Sequence, residues 1–251
     1  MRKFIKENIL IFIFLAVWIS GSYFSLWNSY IIPYPEKVLN TWIKLLKNGI
    51  LVQHILISFS RIFFGFFLTV TAAVPLAVFF GMFPKIYSCF RNTFEFIRHT
   101  PPLALIPMII LWFGIGELSK IIIIILASFF PVFLNTLKGI EMCDKRLIEV
   151  GQSFNFTKFE IFRKIILPGA VPDILVGMKL GFGYSWRAII GAEMIAASSG
   201  LGYLILDGQQ ISRSDIVAVG ILTIGVLGIF TDLICEKIIS CCLRKRGACR
   251  E

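Results

Sequence analysis

The 251-residue chain contains 57% hydrophobic residues, 25 phenylalanines and only 16% charged residues, so its apolar surface exceeds what one soluble core would bury. This composition excludes an ordinary soluble domain and predicts an integral membrane protein. The formal net charge of +10 does not indicate a nucleic-acid-binding protein, because the basic residues form short clusters between apolar runs rather than one charged face.

A helix needs about 20 apolar residues to cross the hydrocarbon core of a bilayer. Six runs have a suitable length and hydrophobicity, at residues 9–27, 62–83, 99–116, 121–137, 174–197 and 216–231. The alternating pattern of a membrane barrel is absent. The sequence therefore predicts an all-α, polytopic membrane protein with about six transmembrane helices. We expect a first helix and outer segment (1–54), a core (55–235) with a charged loop (138–173), and a basic tail (236–251).

Two segments have additional local signals. Val38, Trp42, Leu45 and Leu46 recur at helical spacing and predict an amphipathic helix on the membrane surface in the first outer segment. In the third run, three prolines remove backbone donors and predict a bent, short span. These prolines are Pro101, Pro102 and Pro107.

The distribution of basic residues predicts the orientation of the helices. If the N-terminus is cytoplasmic, most lysines and arginines fall in the inner segments, above all in the loop 138–173 and the tail 236–251. We therefore expect both termini on the cytoplasmic side of a bacterial-type cell membrane. The first apolar run is too long for a signal-peptide core and is expected to remain as a span.

Catalytic signatures are scarce. His54 and His99 are far apart and predict no metal site, and none of the six cysteines forms a CxxC pair, so free thiols are expected. The phosphate-binding pattern GxxxxGK[ST] and the nucleophile pattern GxSxG do not occur. The chain is therefore predicted to be neither an enzyme nor a cofactor-binding protein, and any ATP chemistry must come from another chain.

The loop 138–173 interleaves apolar and charged residues from Asp144 to Ile166, which predicts short helices with one apolar face. Asn155 lies between the two halves, where a residue that tolerates the left-handed conformation can end a helix and reverse the chain. Pro168 is expected to end the second half and begin the return to the membrane.

The pattern of this loop resembles the EAA-x3-G-x9-I-x-L-P loop of permease subunits of binding-protein-dependent ABC importers. The matching positions are Glu149, Val150, Gly151, Asn155, Ile165, Leu167 and Pro168. Two further segments, IRHTPPLALIPMIILWFGIGELSKI (97–121) and GAEMIAASSGLGYLI (191–205), resemble the nitrate, sulfonate and taurine-type branch. Together these motifs cover roughly residues 55–235. Val150 and Gly151 replace two alanines, and Asn155 replaces a glycine.

The resemblance implies a type I importer permease: a homodimer of six-helix subunits with two ATPase subunits that bind the ATP and an external substrate-binding protein. Glu149 would anchor the loop to its ATPase by charge or at a helix N-terminus, and Phe159, Phe162 and Ile165 would supply buried contact. The expected translocation path includes Trp186, Arg187, Glu193, Ser198 and Ser199.

Several alternatives stay open. Arg187 either offers its guanidinium to an anionic substrate in a water-filled path, or is held by backbone carbonyls or a carboxylate. The substrate could be a sulfonate, taurine, nitrate or a vitamin precursor. A stand-alone secondary transporter or channel would have the same composition, although such proteins usually contain inverted repeats over a longer chain.

Overall fold

The computed structural model describes residues 9–245, which form helices and no strands. The α-helices are α1 (Ile9–Tyr23), α2 (Pro35–Lys47), α3 (Ile50–Met82), α4 (Pro84–His99), α5 (Ile106–Phe113), α6 (Glu117–Glu141), α7 (Lys145–Ser153), α8 (Lys158–Ile161), α9 (Leu167–Ala196), α10 (Leu201–Gln210) and α11 (Ser214–Lys245). A 3₁₀ turn, Pro102–Leu105, precedes α5, and a π turn, Phe162–Ile166, joins α8 to α9.

Four stretches of the described chain are long and apolar enough to cross a membrane: Ile50–Met82, Glu117–Glu141, Lys158–Ala196 and Ser214–Cys242. A fifth candidate is the pair Pro84–His99 and Pro102–Phe113, which is bent by 80°. The bend predicted from the prolines is therefore confirmed. Helix α1 has 15 described residues, and the predicted total of six spans is compatible with these helices.

Helix α3 begins twelve residues before the predicted span of 62–83, and it contains Arg61. This arginine is 6% exposed, and its Nε and Nη2 donate to the two carboxylate oxygens of Glu117, both at 2.6 Å. Lys120 Nζ donates to the same carboxylate at 2.8 Å. Since a bidentate pair offsets the cost of burying a guanidinium, the helix continues through a charge that had marked the predicted boundary.

The prediction that Pro168 ends a helix is wrong. Residues 158–196 form one continuous helix, with the π turn just before Leu167 and Pro168 in the second position after it. Leu167 N donates to Phe162 O, the i→i+5 bond of a π turn. A π turn relaxes the regular ladder of backbone hydrogen bonds, and a proline that lacks an N–H is tolerated at such an irregularity.

The chain divides into two compact units, of which the larger contains Phe59–Ala192 and the last part of α11. Its core is a cluster of small and aromatic residues from α3 and α6, including Ala73, Ala77, Phe80 and Phe133. Phe133 and Phe80 rings meet edge to face, with centroids 6.0 Å apart, a favoured arrangement for aromatic pairs. This core positions the segment 142–173.

The smaller unit contains the described residues up to Ser58 together with Glu193–Val226. The predicted amphipathic helix is confirmed as α2, which buries Val38 and Thr41. Thr41 Oγ1 donates to Asp215 Oδ2 at 2.7 Å, and Arg213 pairs with the same carboxylate through Nε at 2.8 Å. These buried contacts fix α2 to the start of α11.

Candidate functional site

The segment 144–161 consists of two short helices whose N-termini are capped. Asp144 accepts from Arg146 N at 2.9 Å at the start of α7. Thr157 and Glu160 form a reciprocal capping box at the start of α8. Side-chain caps satisfy backbone N–H groups that otherwise lack an acceptor, so these helices are defined by local sequence.

The reversal between α7 and α8 occurs at Asn155, as predicted. Its φ angle is +56°, and Phe156 N donates to Gly151 O at 3.0 Å. Asparagine tolerates this left-handed conformation better than most non-glycine residues. The replacement of the family glycine by Asn155 therefore preserves the turn.

Three predicted coupling residues pack inside the subunit. Phe162 is 8% exposed and packs with Ile140 and Ala170. Gly151 is buried, and a Cβ there would approach Ile165 Cδ1 to 2.7 Å. The expectation that Phe162 contacts another protein is therefore corrected, because its ring already fills the interior of the segment. Ile165 is half-buried, and its predicted contact stays a prediction.

A different set of residues is available to a partner. Leu147 and Val150 on α7 and Phe154 directly after it recur at helical spacing, and with Phe159 they are each more than half exposed. Glu149 is exposed on the same helix, α7. We call these five residues the coupling face.

Glu149 lies in the middle of α7, and Asp144 caps the N-terminus. The expected interaction of Glu149 with a helix N-terminus is therefore absent within this segment. Leu167 is half-buried and Pro168 is exposed in the helix that follows.

Arg187 is exposed on α9, and its guanidinium carbon lies 5.6 Å from the centroid of the Tyr184 ring. Tyr184 lines a cavity of about 350 Å³. Three other polar residues line this cavity, namely Arg98, Thr100 and Asn135. A cation–π contact orients a guanidinium without using its hydrogen-bond donors, so Arg187 can still bind an anion.

Within this cavity wall, Arg98 pairs with Glu95 at 2.7 Å and Asn135 Nδ2 donates to Pro131 O at 2.7 Å. The wall combines these polar groups with apolar residues such as Leu105 and Leu180. Small-molecule sites commonly have this mixed lining and a volume of about 300–1,000 Å³.

Glu193 is 0% exposed, so its expected position in the path is corrected. Its carboxylate accepts from Ser58 Oγ at 2.8 and 2.9 Å and from Gly202 N at 3.0 Å. Leu201 N donates to Ser58 Oγ at 2.9 Å. The glutamate therefore caps the N-terminus of α10, where a negative charge is favourable.

Two neighbouring residues complete this cap. Gly200 N donates to His54 Nδ1 at 3.0 Å. The φ angle of Gly200 is +113°, and a Cβ there would lie 2.2 Å from the carboxyl carbon of Glu193. Only glycine fits both the conformation and the space.

The remaining path candidates differ in exposure. Trp186 is buried, with its ring centroid 5.2 Å from that of Phe59. Ser198 is exposed and Ser199 is half-buried. Of the five predicted path residues, Arg187 and Ser198 are the exposed ones.

The residues around the Glu193 cap and those that line the cavity beside Tyr184 are not among the sequence predictions. His54 and Ser58 are four residues apart, the spacing that places them on one helix face, and this signal could have indicated a shared cap. Asn135 and Tyr184 are ordinary residues within apolar runs, and no pattern in the sequence indicates that they line one cavity.

Comparison with known proteins shows the family to which the chain is similar. The family described as binding-protein-dependent transport system inner membrane component matches residues 70–238. The aliphatic sulfonates transport permease protein SsuC of Bacillus subtilis, described as putative, is 34% identical over 220 residues, covering 88% of this chain and 80% of that protein. The taurine transport system permease protein TauC of Escherichia coli is 32% identical over 226 residues, covering 88% and 82%.

The fold is also similar to that of a solved transporter. A chain of the MetNI methionine ABC transporter, in an inward-facing conformation, aligns with a TM-score of 0.68 at 16% identity. The alignment covers 81% of this chain and 98% of the MetNI chain. At this identity the likeness shows a common fold of the type I importer permeases.

Proposed function

The chain belongs to the family of binding-protein-dependent transport system inner membrane components and is a permease subunit of an ABC importer, and we propose that it moves a small anion, such as an organosulfonate. It is a multi-pass membrane protein whose system includes an ATPase and a substrate-binding protein. The family is not an enzyme family, and the ATP is bound by the ATPase.

The coupling face is the proposed contact with the ATPase. It combines exposed Leu147, Val150, Phe154 and Phe159 with the exposed carboxylate of Glu149. Apolar side chains at this spacing are typical of a helix that binds in a groove of a partner. Gly151, Phe162 and Ile165 support this surface from inside, so that movement of the ATPase is transmitted through a packed segment to α9.

The exposed Arg187 is the single observation that carries the proposed substrate class. A guanidinium offers paired N–H donors that match the oxygens of a sulfonate, carboxylate or nitrate. SsuC and TauC are described as permeases for aliphatic sulfonates and taurine, and both substrates carry a sulfonate group. Tyr184 keeps the guanidinium beside the mixed polar and apolar cavity, where an anion with a short organic group would fit.

The proposed assembly is a homodimer with two ATPase subunits and one external substrate-binding protein. Both termini and the segment 142–157 face the cytoplasm in this arrangement, in line with the positive charge of the inner segments. The helix α2 then lies at the outer surface. ATP binding and hydrolysis alternate the permease pair between outward- and inward-open states.

The coupling proposal is tested by Glu149→Lys in the purified complex. We expect the variant to insert normally and to lose bound ATPase, because the change reverses an exposed charge on α7, the helix that carries most of the coupling face. Glu36→Lys on α2 is the matched control and should keep its ATPase. Full retention of the ATPase by Glu149→Lys would remove the coupling assignment.

The path proposal is tested by replacing Arg187 in proteoliposomes that contain the complete importer. Arg187→Gln should lower sulfonate uptake at least tenfold while assembly and basal ATP hydrolysis persist, since a charge-assisted pair contributes about 1.5–3 kcal/mol. Arg187→Lys should recover part of the uptake, and Arg91→Gln, on exposed α4, should have no effect. Equal uptake by Arg187→Gln and the unsubstituted protein would contradict the anion assignment.

A further inference from the structure

An apolar crevice of about 780 Å³ lies in the smaller unit, between α1, the residues that follow it, and the start of α11. Its walls include Trp18, Trp27, Val217, Ala218, Ile221 and Leu222. Its polar lining residues include Ser212 in the loop before α11 and Ser214, the first residue of α11. The volume is within the range of about 300–1,000 Å³ that is common for small-molecule sites.

A basic pocket of about 410 Å³ lies directly beside the crevice. The chain passes from the crevice to this pocket at Pro33 and Tyr34, and again at Ser212 and Arg213. Lys37, Lys44 and Arg213 line the pocket, together with a single carboxylate, that of Glu36. Neither lysine has a carboxylate within ion-pairing distance among the described residues.

The walls of both pockets are fixed by hydrogen bonds. Trp18 Nε1 donates to Pro33 O at 3.1 Å, which attaches α1 to the edge shared by the two pockets. Thr41 and Arg213 both bind the buried carboxylate of Asp215, which attaches α2 to the start of α11. The two lysines therefore project from a fixed helix beside the mouth of the apolar crevice.

We propose that these two pockets form a binding site for an anionic phospholipid. One acyl chain occupies the crevice against Trp18 and Ala218, and the phosphate lies on Lys37 and Lys44. Aromatic residues at the crevice are suited to the membrane interface because their rings combine apolar area with one polar group. Lysines near the membrane surface attract anionic headgroups. The site does not depend on the nature of the transported substrate.

The chemistry of the pockets favours a lipid over a protein partner. A protein would present a surface to the crevice, whereas this crevice is apolar and adjacent to two ammonium groups that pair with no carboxylate of the described residues. Each methylene that enters it strengthens binding about fourfold. A single amphiphile with one anionic group satisfies both pockets at once.

The test measures lipid retention by the purified permease–ATPase complex. Native mass spectrometry after partial delipidation counts bound phosphatidylglycerol and phosphatidylcholine. We expect the unsubstituted complex to retain phosphatidylglycerol in preference. The double variant Lys37→Gln and Lys44→Gln should lose about fivefold in retention per lysine. Lys47→Gln, an exposed lysine of the same helix that does not line the pocket, is the matched control and should behave like the unsubstituted complex.

A second variant addresses the crevice. Ala218→Phe fills the space for the acyl chain and should reduce retention of both lipids. In a separate fluorescence measurement, phosphatidylglycerol with brominated chains should quench tryptophan fluorescence less in a Trp18→Phe variant than in the unsubstituted protein. Equal retention of the two lipids by the unsubstituted complex would overturn the proposal. So would unchanged retention in the double lysine variant, or efficient cross-linking of Leu222→Cys to a second copy of the chain, since another subunit would then fill the crevice.

Discussion

Phe159 and Phe162 are three residues apart but differ in their surroundings, and this difference yields the sharpest prediction for the coupling face. Phe159 is 62% exposed, whereas Phe162 is 8% exposed against Ile140 and Ala170. Truncating each ring to alanine should therefore affect different properties. Phe159→Ala should weaken binding of the ATPase, and Phe162→Ala should destabilise the permease itself.

The magnitudes follow from the exposed areas. An aromatic side chain has about 200 Å² of surface, so Phe159 can offer about 120 Å² to a partner. At about 25 cal/mol per Å², complete burial of this area is worth about 3 kcal/mol, so the loss of ATPase affinity should reach at most about 100-fold because binding also has ordering and desolvation costs. Phe162→Ala should cost about 3–5 kcal/mol of folding free energy, the usual cost of removing a buried aromatic ring.

The two effects are separated by two assays on the same preparations. Titration of the ATPase against the permease in nanodiscs measures affinity, and thermal unfolding of the permease alone measures stability. The reasoning is refuted if Phe159→Ala binds the ATPase with unchanged affinity. It is also refuted if Phe162→Ala has the stability of the unsubstituted permease.

Two further predictions concern other parts of the chain. Gly200→Ala should lower the melting temperature by several degrees, since the strained backbone costs about 1–3 kcal/mol and the new Cβ would meet the carboxylate of Glu193. Gly183→Ala is the control and should be neutral, because Gly183 has open space around it. Equal effects of the two substitutions would contradict the proposed cap. Burial, followed by the nearby charge of Asp144, raises the pKa of the Cys143 thiol above its ordinary value, so an impermeant maleimide should label it slowly near pH 7 and faster as the pH rises. In a variant without the other cysteines, this labelling should occur only in inverted vesicles, and labelling of intact spheroplasts would refute the proposed orientation.

Local features of the fold could be predicted because their causes are local. Asn155 reverses the chain in its own turn, and Pro101 and Pro102 bend a span where they remove backbone donors. The amphipathic helix α2 follows from the spacing of its apolar residues. Each of these signals acts within a few residues.

Two of the predictions that failed depend on residues that are distant in sequence. Arg61 lies inside α3 because Glu117 pairs with it, and no pattern near Arg61 indicates its partner. Glu193 is a predicted path residue, yet Ser58 Oγ and Gly202 N donate to its carboxylate. Pro168 continues a helix because of a π turn that precedes it. Charge and proline content alone do not specify these arrangements.

Side-chain orientation in the candidate site also depends on contacts that the sequence pattern does not specify. The motif in the loop indicates the segment that we propose contacts the ATPase, but the orientation of each side chain depends on packing against α6 and α9. The sequence alone therefore does not show that Phe162 is buried and Phe154 is exposed.

The most direct test of the account is sulfonate uptake into proteoliposomes with defined composition. Liposomes should contain the permease alone, the permease with its ATPase, or both together with the substrate-binding protein added outside. We predict uptake only in the complete system with ATP available to the ATPase, and loss of that uptake in Glu149→Lys. Uptake by the permease alone, driven by an ion or solute gradient, would contradict the account and favour a stand-alone secondary transporter.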